Sequence, residues 1–84
     1  MNIYNRSSLI GFYAKYADCE RTLEKWFHDV SSKDWKKPSD VTKDFNTART
    51  IKNSRAIFEI NGNDYRLITE INYHVNNNLM ILSI

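Results

Sequence analysis

The stretch Asn53-Ser-Arg-Ala-Ile-Phe-Glu-Ile-Asn-Gly-Asn-Asp-Tyr-Arg-Leu-Ile-Thr-Glu-Ile-Asn-Tyr73 decides the fold of this chain. Apolar and polar side chains alternate on both sides of Asn61-Gly62-Asn63-Asp64, as expected for two β-strands joined by a tight turn. In the first strand, three apolar side chains share one face: Ala56, Phe58 and Ile60. The opposite face carries Arg55 in the first strand and Arg66 in the second. The pattern therefore predicts a hairpin with a basic face that does not enter the core.

The turn also sets the register of the hairpin. If Gly62-Asn63 is a two-residue loop, Gly62 occupies the first central position of a type II′ turn. If Asn61-Gly62 is the loop, two carboxylates face each other across the strands, which is unfavourable. We therefore predict the first register, which places opposite charges in two cross-strand pairs: Glu59 with Arg66, and Arg55 with Glu70.

Helical periodicity comes before the hairpin. One stripe predicts a helix that begins at an Asp18 N-cap, and its apolar members are Cys19, Leu23, Trp26, Phe27 and Val30. A shorter stripe over residues 9–17 predicts a helix before it. Pro38 suits the first turn of a third helix over residues 39–45.

Short extended segments complete the order of elements. Ile3 and Tyr4 fit an edge strand, residues 46–54 a loop with a short extended piece around Ile51, and Leu79–Ile84 a final strand after a turn at residues 76–78. The sequence thus predicts an α+β fold, with the N-terminal strand and helices packed on one face of a small antiparallel β-meander. The other face of the sheet is left open to solvent or to a ligand.

Length and composition limit the class of protein. With 84 residues, the chain is the size of one small domain. Its single cysteine excludes an internal disulfide and a cysteine-based zinc cluster. No leading apolar segment is present and no run reaches the ~18 residues of a membrane span, so we expect a cytoplasmic protein.

The charge is unevenly distributed. The chain carries only +2 in total, but residues 33–55 hold seven cations against three carboxylates, a net +4. A local basic field attracts phosphate backbones. The alternative is a solvated lysine-rich loop with no partner.

This arrangement resembles the HigB family of toxins, a branch of the RelE/ParE superfamily from bacterial toxin–antitoxin systems. Four pieces carry the resemblance by their order and spacing: Asp34-Trp35-Lys36-Lys37-Pro38, Asn53-Ser54-Arg55-Ala56-Ile57-Phe58, Gly62-Asn63-Asp64-Tyr65-Arg66-Leu67-Ile68 and Ile71-Asn72-Tyr73. The resemblance implies a RelE/ParE-like fold and an mRNA endonuclease (an mRNA interferase) that works on the translating ribosome. It also implies a HigA-like antitoxin as partner, with no metal and no other cofactor.

The chain departs from the family pattern near its last residue. In the family, a last strand carries an arginine and is followed by a Gly-Thr-His-x-x-Tyr-type stretch, whose histidine and tyrosine would handle protons. Here Leu82 stands where that arginine is expected, and the sequence reaches Ile84 without the His-x-x-Tyr. We therefore expect a single RelE-like toxin domain over residues 1–84 that lacks the C-terminal segment of the family.

Two arginines are the candidate catalytic residues. RNA cleavage by the ribose 2′-hydroxyl needs a base, an acid, and cations for the charge that develops on the phosphoryl oxygens. Arg66 is the first candidate for the cationic role, because it matches the family's Tyr-Arg-Leu arginine and an arginine fork binds phosphate bidentately. Arg55 is the second, since it shares the face one strand away. The alternative is that both form ordinary cross-strand ion pairs.

Four further residues are candidates for RNA binding. Lys36 and Lys37 suit the RNA backbone, although a solvated connector explains them equally well. Trp35 suits base stacking, but packing over the helices is the more frequent role. His74 is a candidate because an imidazole side chain can transfer protons near neutral pH, whereas an exposed histidine beside an Asn-rich turn is more often a bystander.

Two other function classes remain open from the sequence. A truncated, non-catalytic toxin homologue would bind antitoxin or RNA without cleaving it. An α+β interaction module with no link to nucleic acid would make the charge asymmetry incidental.

Overall fold

The computed structural model follows the order of elements predicted from the sequence, and it describes residues 1–74 and 77–84 apart from the side chain of Tyr13. The strands are β1 (Asn2–Tyr4), β2 (Arg49–Ile51), β3 (Arg55–Ile60), β4 (Tyr65–Asn72) and β5 (Asn78–Ser83). The helices are α1 (Ile10–Lys15), α2 (Glu20–Ser31) and α3 (Pro38–Asp44), with 3-10 turns at Arg6–Leu9 and Ala17–Cys19. The α+β class is confirmed. In the described ranges no helix has the length and apolarity to cross a membrane.

The five strands form one mixed sheet in the order β1-β5-β4-β3-β2. The predicted antiparallel meander is present in β2 to β5, but the prediction that the N-terminal strand packs on one face of it is wrong, because β1 joins the edge of the sheet in parallel with β5. Parallel neighbours need a long connection between them, and all three helices lie in the chain between β1 and β5. The Met1 amino group helps to hold β1 in place, since it donates hydrogen bonds of 2.9 Å to the carbonyls of Ser31 and Lys33.

The predicted register of the hairpin is confirmed. Glu59 pairs with Arg66 and Arg55 with Glu70, and the ladder ends at Ile60 and Tyr65. The amide of Asp64 donates to the Asn61 carbonyl over 3.3 Å. Gly62 has φ +66°, a left-handed conformation that costs glycine little. Of the second predicted turn, Asn76 lies outside the described residues.

The edges of the sheet hold two details that the pattern did not predict. The segment expected to be mainly loop contains β2, which pairs with β3 over three residues. In β5, Thr69 pairs with Ile81 but Ile68 pairs with Ser83, so Leu82 is an extra, bulged residue. A bulge of this kind bends the strand locally and increases its twist.

The core lies between the helices and one face of the sheet. The predicted stripe of α2 is buried there, with Leu23 and Val30 fully enclosed. Phe58 of β3 is at the centre of the aromatic contacts, because its ring centroid lies 5.2 Å from that of Trp26, 5.4 Å from Phe45 and 6.2 Å from Trp35. Thr69 is the one buried polar residue of the described core, and its hydroxyl donates to the Ala56 carbonyl at 2.9 Å.

The start of α2 differs from the prediction. Cys19 is at the N-cap position and no side chain caps the helix, because Asp18 belongs to the preceding 3-10 turn. The Cys19 thiol is fully buried and donates to the Tyr16 carbonyl at 3.1 Å. Burial, with a smaller contribution from the neighbouring Asp18 carboxylate, raises the pKa of this thiol from its ordinary value of 9.0.

Removing the Phe58 ring should destabilise the fold strongly. We expect Phe58→Ala to lower the free energy of unfolding by about 3–5 kcal/mol, because it leaves a cavity among three aromatic rings. Urea denaturation followed by tryptophan fluorescence measures this. Ile10→Ala is the control, since Ile10 is 65% exposed and its truncation should change stability by less than about 0.5 kcal/mol. Equal effects of the two substitutions would contradict the description of the core.

Raising the pH should destabilise the protein through Cys19. The unfolded chain loses the thiol proton near pH 9 while the folded chain keeps it, so the free energy of unfolding falls as the pH rises from there. Cys19→Ser retains a hydroxyl donor for Tyr16 but does not titrate in this range, so its stability should fall less steeply. Urea midpoints between pH 7 and 10 test this, and identical slopes for both proteins would contradict it.

Candidate active site

We call the face of the sheet opposite the helices the open face. In each strand it carries the side chains that alternate with the core-facing ones. Its three arginines come from three strands and are all exposed: Arg49, Arg55 and Arg66. Large apolar side chains are exposed beside them at 46–48%: Tyr4, Ile51 and Met80. The open face therefore combines cations with apolar surface, which is the composition of a binding surface.

The strand register arranges some of these residues in one row across the sheet. Tyr4 pairs with Met80, Met80 with Glu70, Glu70 with Arg55, and Arg55 with Ile51. Residues directly opposite each other in neighbouring strands have Cβ atoms about 4.5–5.5 Å apart on the same face. An aromatic ring, a carboxylate and a guanidinium are thus held in a fixed order by backbone pairing alone.

A cleft of about 660 Å³ lies over one end of this row. Its walls come from β1, β4, β5, the β2–β3 turn and the chain after β4: Tyr4, Ser54, Glu70, Ile71, Asn72, Tyr73, His74, Asn78 and Met80. The volume falls within the range of about 300–1,000 Å³ typical of small-ligand sites. The cleft contains an imidazole and a carboxylate, two groups that can transfer protons.

The two predicted catalytic arginines lie at different distances from the cleft. Arg55 pairs with Glu70 and follows Ser54, and both of these neighbours line the cleft. Arg66 lies four residues from Glu70 along β4, about 13 Å at the usual rise of a strand, and its guanidinium contacts Asn63 over 3.4 Å. Arg55 is therefore beside the cleft, whereas Arg66 is on the same face near the hairpin turn.

The alternative role for these arginines, as cross-strand ion pairs, is not seen in the structure. Across residues 1–74 and 77–84, the ion pairs within 4.0 Å involve Arg6, Lys25, Lys33 and Lys36. Arg55 and Arg66 face Glu70 and Glu59 in register without closing a salt bridge. Their guanidinium groups are exposed and available to an anion.

Lys36 and Lys37 are both exposed. The Trp35 carbonyl, next to them, accepts a hydrogen bond from the Asn77 side chain. Nearby, burial and the Asp40 carboxylate of α3 raise the pKa of the Tyr73 hydroxyl. Lys36 also forms an exposed ion pair of 3.1 Å with Asp34. The connector is therefore linked to Asn77, which precedes the cleft residue Asn78, but its two lysines do not line the cleft.

The prediction that Trp35 stacks on a base does not agree with the structure. The residue is 2% exposed and its ring stacks on Phe58 at an interplanar angle of 18°. Its indole N–H donates to the Asp44 carboxylate at 2.8 Å. Trp35 is a core residue, and the alternative of packing is the correct one.

Sequence reasoning missed several residues of the cleft. Tyr4 enters it only because β1 pairs with β5, and nothing in the sequence specifies that pairing. Asn72 and Asn78 carry no signal in the sequence that marks them as site residues. Arg49 was missed as a third cation of the open face, because the short strand that orients it carries only three residues.

Across the described residues, no group of three or more His, Cys, Asp or Glu side chains is placed to hold a metal ion.

Comparison with known proteins identifies one family. A family model described as HigB_toxin, RelE-like toxic component of a toxin-antitoxin system, matches residues 19–84, which is most of the chain. It includes the hairpin and all of the cleft except Tyr4. No curated protein matches the chain.

Replacing Trp35 tests its structural role. Trp35→Phe removes the hydrogen bond to Asp44, so we expect the free energy of unfolding to fall by about 1–2 kcal/mol and the affinity for single-stranded RNA to stay unchanged. Trp26→Phe is a matched control, because the buried Trp26 N–H has no partner among the described residues and its loss should be less costly. Denaturation and fluorescence-anisotropy titrations measure both quantities. A selective loss of RNA affinity in Trp35→Phe would restore the stacking role.

Proposed function

The chain belongs to the HigB toxin family, the RelE-like toxic components of toxin–antitoxin systems, and from that premise we propose that it is an mRNA endonuclease whose active site is the cleft on the open face. An antitoxin is its partner by family. We further propose that this partner is HigA-like, and that the enzyme acts in the cytoplasm on mRNA bound to the ribosome. The observation that carries the proposal is the meeting of Glu70 and His74 in one cleft beside Arg55.

The proposed reaction uses the RNA as its own nucleophile and requires no metal ion. The ribose 2′-oxygen attacks the adjacent phosphorus while its proton passes to a base. The bond from phosphorus to the 5′-oxygen breaks, and that oxygen receives a proton from an acid. The products are a 2′,3′-cyclic phosphate and a 5′-hydroxyl, so no water or other co-reactant is consumed.

Glu70 and His74 are the proposed proton-transfer pair. Within the described residues Glu70 forms no salt bridge to Arg55, so its carboxylate oxygens are available to accept a proton. His74 is exposed at the edge of the cleft, and imidazole is the side chain best suited to exchange protons near neutral pH. We assign proton abstraction to Glu70 and protonation of the leaving oxygen to His74.

The cations have two proposed roles. Arg55 lies beside the cleft and stabilises the charge that develops on the phosphoryl oxygens. Arg66 lies about 13 Å from Glu70 along β4. In this proposal it holds the RNA backbone at a neighbouring phosphate. Lys36 and Lys37 are exposed and add a positive field that steers RNA, or the ribosomal RNA around it, toward the protein.

Substitutions in the cleft should reduce cleavage selectively. We expect His74→Ala and Arg55→Ala to slow RNA cleavage by roughly 10²–10⁴-fold, in the range of a lost acid–base or electrostatic contribution, and to abolish growth arrest on expression. Arg66→Ala should weaken RNA binding more than it slows the bound reaction. Cleavage of a labelled mRNA, with and without ribosomes and with EDTA present, measures these effects and reveals the cyclic phosphate ends.

Two substitutions on α2 serve as matched controls. His28→Ala and Arg21→Ala remove the same side chains from exposed positions of α2, and they should leave both assays unchanged. Tight RNA binding without cleavage by the unmodified chain would overturn the enzymatic proposal and favour a binding role. Cleavage that survives the double substitution of Glu70 and His74 would place the proton transfers elsewhere.

A further inference from the structure

The hairpin turn contains the dipeptide Asn61-Gly62, in which one residue can react with the other. The Gly62 nitrogen can attack the side-chain amide carbon of Asn61, because glycine has no side chain to block the approach. Gly62 is exposed, and a Cβ atom added to it would meet no atom within 4 Å. Among the described residues its N–H has no backbone acceptor. The nucleophile of this reaction is therefore accessible.

The Asn61 side chain, in contrast, is held by the start of α2. The Thr22 hydroxyl donates to Asn61 Oδ1 over 2.6 Å. The Asn61 Nδ2 group lies 3.5 Å from both the carbonyl and the carboxylate of Asp18. We call these contacts of Asn61 with Thr22 and Asp18 the turn clamp. They join residues 39 and 43 positions apart in the chain, so they exist only when the hairpin is folded onto the helix.

The backbone of the turn also opposes the reaction. Asn61 has φ +54°, in the left-handed region where ψ lies at about +30 to +60°. At such a ψ the Cβ atom points nearly opposite to the next nitrogen across the Cα–C bond. Ring closure requires the two on the same side, so the turn must open before the side-chain carbon of Asn61 can meet the Gly62 nitrogen.

We propose that Asn61-Gly62 is a self-modification site, at which water converts the asparagine to aspartate or isoaspartate, and that the turn clamp suppresses this conversion in the folded chain. The site lies at the hairpin turn and outside the cleft. It does not depend on the proposed function, because the reactive groups belong to the chain itself.

The conversion has two steps and consumes one reactant, water. In the first step the Gly62 nitrogen gives up its proton and bonds to Cγ of Asn61, while the Cγ–Nδ2 bond breaks and ammonia leaves with that proton. In the second step water opens the resulting cyclic imide. Cleavage of the new Cγ–N bond gives aspartate, whereas cleavage of the original peptide bond gives isoaspartate, in which the main chain runs through the former side chain.

Either product weakens the hairpin. A carboxylate at position 61 faces the Asp18 carboxylate, so like-charge repulsion replaces a hydrogen bond. Isoaspartate also adds a main-chain carbon to the turn that sets the register of β3 and β4. A chain whose turn stays open long enough is therefore altered permanently and refolds with lower stability.

Incubation of the full chain at mildly alkaline pH, in native buffer and in denaturing urea, tests the proposal. Trypsin releases residues 56–66 as one peptide, because Arg55 and Arg66 provide the cleavage sites. Mass spectrometry and an isoaspartyl methyl-transfer assay then follow the conversion. We expect Asn61 to react at least about 10-fold more slowly in native buffer, since the reaction waits for local opening of the turn. Equal rates under the two conditions would overturn the proposal.

Substitutions of Thr22 test the clamp. Thr22→Val removes the hydroxyl donor at nearly constant shape, so it should raise the native rate several-fold and leave the rate in urea unchanged. Thr22→Ser retains the donor and should retain the slow native rate. The same native rate in Thr22→Val as in the unmodified chain would show that the clamp has no protective role.

Asn53 is an internal control. It is exposed and also left-handed, with φ +65°, but a serine follows it. In urea it should react more slowly than Asn61, because the Ser54 side chain hinders the approach of the nitrogen, and Gly62→Ala should slow Asn61 in the same way. Faster conversion at Asn53 would overturn the assignment of the site to Asn61-Gly62.

Asn61→Asp reproduces one product and tests the consequence for stability. We expect its urea midpoint to be lower than that of the unmodified chain, because the new carboxylate lies beside Asp18. An unchanged midpoint would contradict the weakening of the hairpin by that product.

Discussion

The structure depends on the register of the β3–β4 hairpin. Pairing of Ile60 with Tyr65 sends one set of alternating side chains into the core and the other set to the open face. A shift by a single residue would turn one strand over relative to the other and place either Arg55 or Arg66 beneath the helices. Burying a guanidinium group without a partner is far more costly than any turn preference, so the hydrophobic pattern and the charges specify the same register. All other elements are arranged around this hairpin, since α2 covers its apolar face and β5, β1 and β2 extend its edges.

The local features of the fold were predictable from the sequence, whereas the long-range pairings were not. Alternation in β3 and β4, the glycine at the turn and the apolar stripe of α2 are patterns within a few residues, and each predicted the right element. The parallel pairing of β1 with β5 joins residues about 76 positions apart, and nothing in Ile3 or Tyr4 indicates which edge of the sheet they join. The predicted cap of α2 was wrong because Asp18 lies inside a 3-10 turn that continues to Cys19.

The same distinction applies to the candidate site. Alternation correctly placed Arg55 and Arg66 on one exposed face. It could not show which of the two lies nearer the cleft, because that depends on which strands form the cleft. The cleft is formed by β1, β5 and the end of β4 together. Tyr4 and Asn78 therefore cannot be predicted as site residues until the order of the strands in the sheet is known. Trp35 shows the opposite case, because a tryptophan followed by two lysines suggests base stacking, whereas its indole packs against Phe45 and Phe58.

The bulge at Leu82 changes which side chains of the last strand face the core. Before it, Met80 faces outward and Ile81 inward; after it, Ser83 is exposed opposite Ile68 while Ile84 packs against the core. In a regular strand with Leu82 paired to Ile68, the serine would point inward and the isoleucine outward. Simple alternation counted along β5 therefore fails beyond position 81. An aligned relative of the same length whose last strand is regular would aim the side chains after this point in the opposite directions, so a shared column in an alignment does not guarantee a shared place in space here.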